Sequence, residues 1–141
     1  MAEYICFEKV RTENEIMEVH VSAQNSVIQA CAKIYVDCEI LKELQEQIFA
    51  FLREQDLAAY WENDVPGIGG PPCVTLRFLP RQGSSQVLLE TYMELNDGGD
   101  FGSHNCRFYI HTDRSHMEKF LHDLGDFMTP TDGESIRISG V

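Results

Sequence analysis

The sequence is poor in positive charge and has no long apolar run. Lys and Arg number 11 against 23 Asp and Glu, a formal net charge of −12 over 141 residues. Non-specific phosphate binding needs a Lys/Arg surface, and no basic stripe exists, so direct nucleic-acid binding is disfavoured. No apolar segment approaches the roughly 20 residues that cross a bilayer. The first residues, Met1-Ala2-Glu3-Tyr4-Ile5-Cys6-Phe7-Glu8, lack the basic start of a secretory signal, which points to a cytoplasmic protein. Cys is odd in number at 5, with no Cys-x-x-Cys pair, so reduced thiols are expected rather than a disulfide framework. Trp occurs once, at position 61, and Pro only 5 times.

What is present is an ordinary globular composition, 43% hydrophobic and 24% charged, at a length typical of one domain spanning 1–141. The acidity is spread along the chain, with no acidic tail or block to suggest a disordered segment. Its simplest role is solubility; its functional reading is that a basic partner would be steered toward the chain.

Hydrophobic periodicity gives the elements. Residues 3–10 alternate, and Met17, Val19 and Val21 share one face of a second strand, with Arg11-Thr12-Glu13-Asn14 as the expected hairpin loop. Ile28, Ala30, Ala32, Ile34 and Val36 hold strict period two, the mark of a half-buried antiparallel strand. The period then switches. Asp37 can cap a helix, and Ile40, Leu41, Leu44, Ile48, Phe51 and Leu52 form a helical stripe ending near Gln55. Residues 57–72 contain three prolines and read as one long irregular loop, of the kind that is often functional.

Alternation resumes at Val74, Leu76 and Phe78, again through residues 86–95, and again at Cys106, Phe108 and Ile110. Thr112 is the expected cap of a second helix carrying Met117, Phe120, Leu121, Leu124 and Phe127, and Ile136 and Ile138 suit a short edge strand. The order predicts an α+β fold: a largely antiparallel sheet from two βββα units, two amphipathic helices on its apolar faces, and a short C-terminal strand. Ala32-Lys33-Ile34-Tyr35-Val36 and Cys106-Arg107-Phe108-Tyr109-Ile110 echo one another, which is consistent with an internal repeat and equally with two ordinary strand-to-helix junctions.

No motif commits the chain to a reaction. His116 and His122 are six apart, ~240° round a helix, and cannot chelate together. His104 and Cys106 share a strand face with Phe108 and lack converging ligands, so no metal and no cofactor is expected. Asn96, Asp97 and Asp100 lack the ordered oxygen set of a calcium loop. Gly67-Ile68-Gly69-Gly70 is followed by Pro71-Pro72 and a strand, whereas a phosphate loop opens a helix. No nucleophile elbow or cysteine-nucleophile motif is present, and no catalytic residue is assigned.

Two surfaces suit a partner. In the long loop, Tyr60 and Trp61 lie beside Glu62 and Asp64; Trp61 is either an interface anchor or a lid folded onto the sheet. On the central strands, Glu90, Tyr92 and Glu94, with Arg107 and Tyr109, alternate acidic and aromatic groups that could grip a basic partner or form an ordinary solvated face.

The segments Ile34-Tyr35-Val36-Asp37 leading to Leu41-x-x-Leu44, and Phe108-Tyr109-Ile110-His111 leading to Phe120-Leu121, together with small size and acidity, resemble the WapI-like immunity proteins encoded beside bacterial contact-dependent toxins. The resemblance covers most of the chain in element order. It implies a stoichiometric inhibitor of a basic toxin domain, without catalysis of its own. The alternatives are a small-molecule-binding or hydrolytic enzyme with its pocket under the 57–72 loop, and a subunit of a homo-oligomer joined at a sheet edge.

Overall fold

The computed structural model describes residues 2–54, 57–63, 73–81, 84–96, 103–129 and 132–141. The elements run β1 (Tyr4–Glu13), β2 (Ile16–Gln24), β3 (Gln29–Val36), α1 (Cys38–Arg53), β4 (Ala59–Glu62), β5 (Val74–Pro80), β6 (Gln86–Asn96), β7 (Ser103–Asp113), α2 (Arg114–Phe127) and β8 (Ser135–Ser139). The fold is α+β, as the periodicities predict, with antiparallel pairing throughout. There are two four-stranded sheets rather than one: sheet A in the order β3-β2-β1-β8 and sheet B in the order β4-β5-β6-β7. Neither helix is long and apolar enough to cross a membrane among the described residues.

Each half reads βββαβ, and each gives its last strand away. β4 leaves the first half to pair with β5, and β8 leaves the second half to pair with β1. The stretch expected to be irregular therefore contains a strand. Ala59 and Trp61 are buried while Tyr60 and Glu62 face out, a period-two pattern of four residues that the Pro/Gly-rich chain after it obscures.

The two helices start on the same device. The Asp37 carboxylate accepts from the Ile40 N–H at 2.9 Å, and the Asp113 carboxylate accepts from the His116 N–H at 2.9 Å. Asp113, not Thr112, is thus the second cap; Thr112 is buried and its hydroxyl donates to the Ser139 carbonyl. The His116 N–H bond holds the Asp113 carboxyl below its ordinary pKa. Leu41, Leu44, Ile48 and Phe51 in α1 occupy the same positions after the cap as Met117, Phe120, Leu124 and Phe127 in α2, and all eight are buried.

Counting back from the caps aligns β3 with β7, and the cross-strand registers align the rest. The row Trp61–Leu76–Thr91–Phe108 across sheet B matches Ile136–Phe7–Val21–Ala32 across sheet A. The echo read between Ala32–Val36 and Cys106–Ile110 is two residues out of step, because a slip of two leaves the alternation of faces unchanged and only the caps resolve it.

The inner faces meet at aromatic contacts. The Phe7 ring lies 6.0 Å from Trp61 and 5.7 Å from Phe120, linking sheet A to sheet B and to α2. Elsewhere the sheets close directly: β3, with Ala30 and Ala32 on its buried side, brings Cα atoms within 8 Å of β6. A cation from another element sits at each helix C-terminus, where it complements the helix dipole. Lys9, fully buried, donates its ammonium to the carbonyls of Phe127 (2.6 Å) and Thr129, over the Phe127 ring. Arg114 donates to the Leu52 carbonyl near the end of α1. None of the five cysteines forms a disulfide; Cys31 is exposed on the outer face of sheet A.

Two local conflicts generate predictions. Thr91 is fully buried and its hydroxyl finds no partner among the described residues, while its counterpart in sheet A is Val21. Thr91→Val should raise stability by about 1 kcal/mol, since an unpaired buried hydroxyl costs about that much or more; an unchanged or lower urea midpoint would refute this. The β1–β2 hairpin turns at Asn14 and Glu15, not across 11–14, and both have positive φ, 52° and 67°. A turn of this hand favours Asn-Gly, so Glu15→Gly should add roughly 1 kcal/mol by removing the Cβ clash, read as a higher melting temperature.

Candidate functional site

Backbone pleat decides which side chains share a face, and on sheet B the outward positions form a grid. One row is Tyr60–Arg77–Glu90–Tyr109, across β4, β5, β6 and β7. The next is Glu62–Thr75–Tyr92–Arg107. Glu94 begins a third, opposite Asn105, with its N–H donating to the Cys73 carbonyl at 2.8 Å. These residues, Tyr109 and Asn105 excepted, line a shallow hollow of about 410 Å³ together with Cys73.

The side chains of the grid are paired in two ways. Glu90 is compensated: Arg77 approaches one oxygen at 3.7 Å, Arg107 the other at 3.5 Å, and the Tyr109 hydroxyl donates to it at 3.3 Å. Glu62 and Glu94 are held by tyrosines instead. The Tyr60 hydroxyl donates to Glu62 at 2.8 Å and the Tyr92 hydroxyl to Glu94 at 3.1 Å, each across two positions of one strand. The Arg107 guanidinium also lies over the Tyr92 ring, 5.4 Å from its centre.

These environments disfavour phenolate. Partial burial, then the Glu62 carboxylate, pushes the Tyr60 phenol up to about 12 from its usual 10.0. Partial burial and Glu94 raise Tyr92 in the same direction. Both rings therefore act as neutral hydroxyl donors and apolar walls.

Sheet A supplies a control for this face. Matched through the cross-strand registers, the counterparts of Tyr60, Glu62, Glu90, Tyr92 and Glu94 are Ser135, Arg137, His20, Ser22 and Gln24. None is a carboxylate or a tyrosine. Sheet A carries its outward tyrosines and carboxylates, Tyr4, Glu8, Glu18 and Tyr35, at other positions, so the sheet geometry does not require them at these five.

The structure brings four of the six expected residues together: Tyr60, Glu90, Tyr92 and Glu94. Trp61 is not among them. It is 2% exposed, packs on Phe7, and donates its indole N–H to the Ile40 carbonyl at 2.9 Å, so it closes the core and offers no surface to a partner. Asp64 and the chain through residue 72 lie outside the described residues, as does any pocket beneath that stretch. Sequence reasoning missed Glu62 and Arg77 as members of this face. The signal for Glu62 was the alternation Ala59-Tyr60-Trp61-Glu62; for Arg77 it was the outward phase of Val74–Phe78.

A larger hollow of about 590 Å³ opens elsewhere, at Glu15, Met17, Asp37, Cys38, Lys42 and Met128. Two of its polar groups already serve the fold: Asp37 caps α1, and the Cys38 thiol points to the Met128 carbonyl at 3.7 Å. No three His, Cys, Asp or Glu side chains converge as a metal-binding group among the described residues.

Comparison with known families, curated proteins and solved structures returned no match. The reading of this face therefore rests on its own chemistry. Replacing Glu62 removes one cause of the Tyr60 shift, so Glu62→Gln should bring that phenol down from about 12 toward 10, seen as earlier phenolate absorbance in an alkaline titration. An unmoved titration would dissociate the two groups.

Proposed function

We propose that this chain is a non-catalytic binding protein that docks a basic protein partner on the outer face of sheet B. The observation that carries this is the gathering of Tyr60, Glu62, Glu90, Tyr92 and Glu94 around one hollow on an open sheet face. Tyrosines supply large contact area at low conformational cost, and carboxylates supply complementarity to a cationic surface. The net charge of −12 acts in the same sense over a longer range, accelerating encounter with a basic molecule.

Neutralisation of a basic toxin domain, the role implied by the resemblance to WapI-like immunity proteins, is the form of binding that we infer. Such an inhibitor needs affinity and speed rather than a reaction centre, and the face offers donors, rings and charge. Four strands ~4.8 Å apart and three rows give a grid of only about 300 Å², whereas a stable partner covers about 800 Å² on each side. The partner must therefore extend past the grid onto neighbouring segments.

The test is co-purification from the native host with the intact chain as bait. A basic partner should be retained by wild type and by Glu8→Lys on sheet A, and weakened at least tenfold by Glu62→Lys/Glu94→Lys. Retention by the double variant, or loss with Glu8→Lys alone, would overturn the assignment of the face.

A further inference from the structure

We infer that a second copy of this chain pairs with it along the free edge of β3, joining two A sheets into one continuous antiparallel sheet. The inference is independent of the docking face on sheet B. It comes from following the four sheet edges. Hydrogen bonds at the strand ends fix the phase of each ladder, and with it which residues turn their backbone groups outward. The edge of β4 is met by α1, where the Gln47 side chain accepts from the Tyr60 N–H. On β8 the Ser139 carbonyl accepts from the Thr112 hydroxyl. On β7 the Tyr109 carbonyl accepts from the Asn25 side chain, the His111 carbonyl accepts from the Val141 N–H, and the His111 N–H donates to Glu3. At the start of β3 the Asn25 N–H donates to the Ile28 carbonyl, which directs Ala30, Ala32, Ile34 and Val36 to β2 and turns Gln29, Cys31, Lys33 and Tyr35 to the edge. Among the described residues nothing meets the backbone of these four on that side, and all four are exposed.

An open edge is a template for another strand, and Gln29–Val36 has no Pro, Gly or register shift to spoil it. Its charge selects a copy of itself. A chain of net charge −12 repels its copy over most of its surface, but β3 carries no carboxylate and a single lysine. Edge-turned residues must meet edge-turned residues across the new ladder, so only alternate registers are open. The register centred on Lys33 sets two ammonium groups opposite one another, which is destabilising. The register centred on Cys31 leaves Tyr35 without a partner. The register centred on Ala32 uses all four residues: Gln29 meets the copy's Tyr35, Cys31 meets the copy's Lys33, and about eight main-chain hydrogen bonds form. One two-fold axis closes both edges at once. A contact this narrow belongs to the small, transient class of interfaces, so the dimer forms in the micromolar range or above.

The experiment is sedimentation velocity on the intact, reduced chain from micromolar to millimolar concentration, with amide hydrogen exchange at both ends of the range. The mass should rise from monomer to dimer, and the amides of Gln29, Cys31, Lys33 and Tyr35 should gain protection at the high end. Cys31→Pro removes one edge N–H and leaves the ladder to β2 whole, so it should weaken the dimer at least tenfold. Charge at the same exposed position reads the register without touching the backbone. Cys31→Glu, set opposite the copy's Lys33, should tighten the dimer at least threefold, and Cys31→Lys should loosen it at least tenfold. A monomer at millimolar concentration would overturn the inference, as would a dimer that Cys31→Lys leaves unchanged or one in which protection appears on other strands. Weakening by Cys31→Glu would overturn the register centred on Ala32.

Discussion

The fold depends on the exchange of one strand between its halves. β4 belongs by sequence to the first βββα unit and by hydrogen bonding to the second sheet; β8 does the reverse. Neither half completes its own four-stranded sheet. The exchange also carries core side chains across: Trp61 on β4 reaches Phe7 of the first sheet and the Ile40 carbonyl of α1, and Phe7 in turn packs on Phe120 of α2. These rings are buried against one another across the two halves, so the halves gain stability together rather than separately.

The same exchange builds the candidate face. A sheet of β5, β6 and β7 alone would carry Arg77, Glu90, Tyr92, Glu94 and Arg107. The arrival of β4 adds Tyr60 and Glu62 at its edge, and so turns a row of compensated charges into a hollow bordered on two sides by Tyr–Glu pairs. Trp61 and Tyr60, adjacent in sequence, serve opposite purposes for this reason: the pleat sends one into the core at 2% exposure and leaves the other 46% exposed on the surface. The two sheets follow the same plan, yet only one bears carboxylates and tyrosines at these positions. Elsewhere on its outward side sheet A carries Tyr4, Glu8, Glu18 and Tyr35, so what distinguishes sheet B is the gathering of its set around one hollow.

How much was legible varied with the physical signal. Long alternating runs such as Ala30–Val36 and the stripe Leu41, Leu44, Ile48, Phe51 announce their structure, because burial on one face imposes a period that composition cannot hide. β4 was hidden because four residues make a short signal beside a Pro/Gly-rich stretch, and its strand state is stabilised by pairing with Val74–Phe78 rather than by local preference. The second cap was misplaced by one residue: Thr112 and Asp113 are both competent caps, and Thr112 is drawn away by the Ser139 carbonyl on β8. Of the site, Glu90, Tyr92 and Glu94 were readable as one outward phase of one strand, while their association with Tyr60 and Glu62 was not.

By itself, the sequence determined the α+β class, the placement of the two helices, the antiparallel alternation and the acidic surface, since each arises from local period or from composition. Only the tertiary structure decided that there are two sheets, that their last strands are exchanged, that Trp61 is core, and that Tyr60 and Glu62 join Glu90, Tyr92 and Glu94. These are pairings between strands distant in the chain. They are selected by hydrogen-bond register and by complementary burial, and neither quantity exists until both partners are in place.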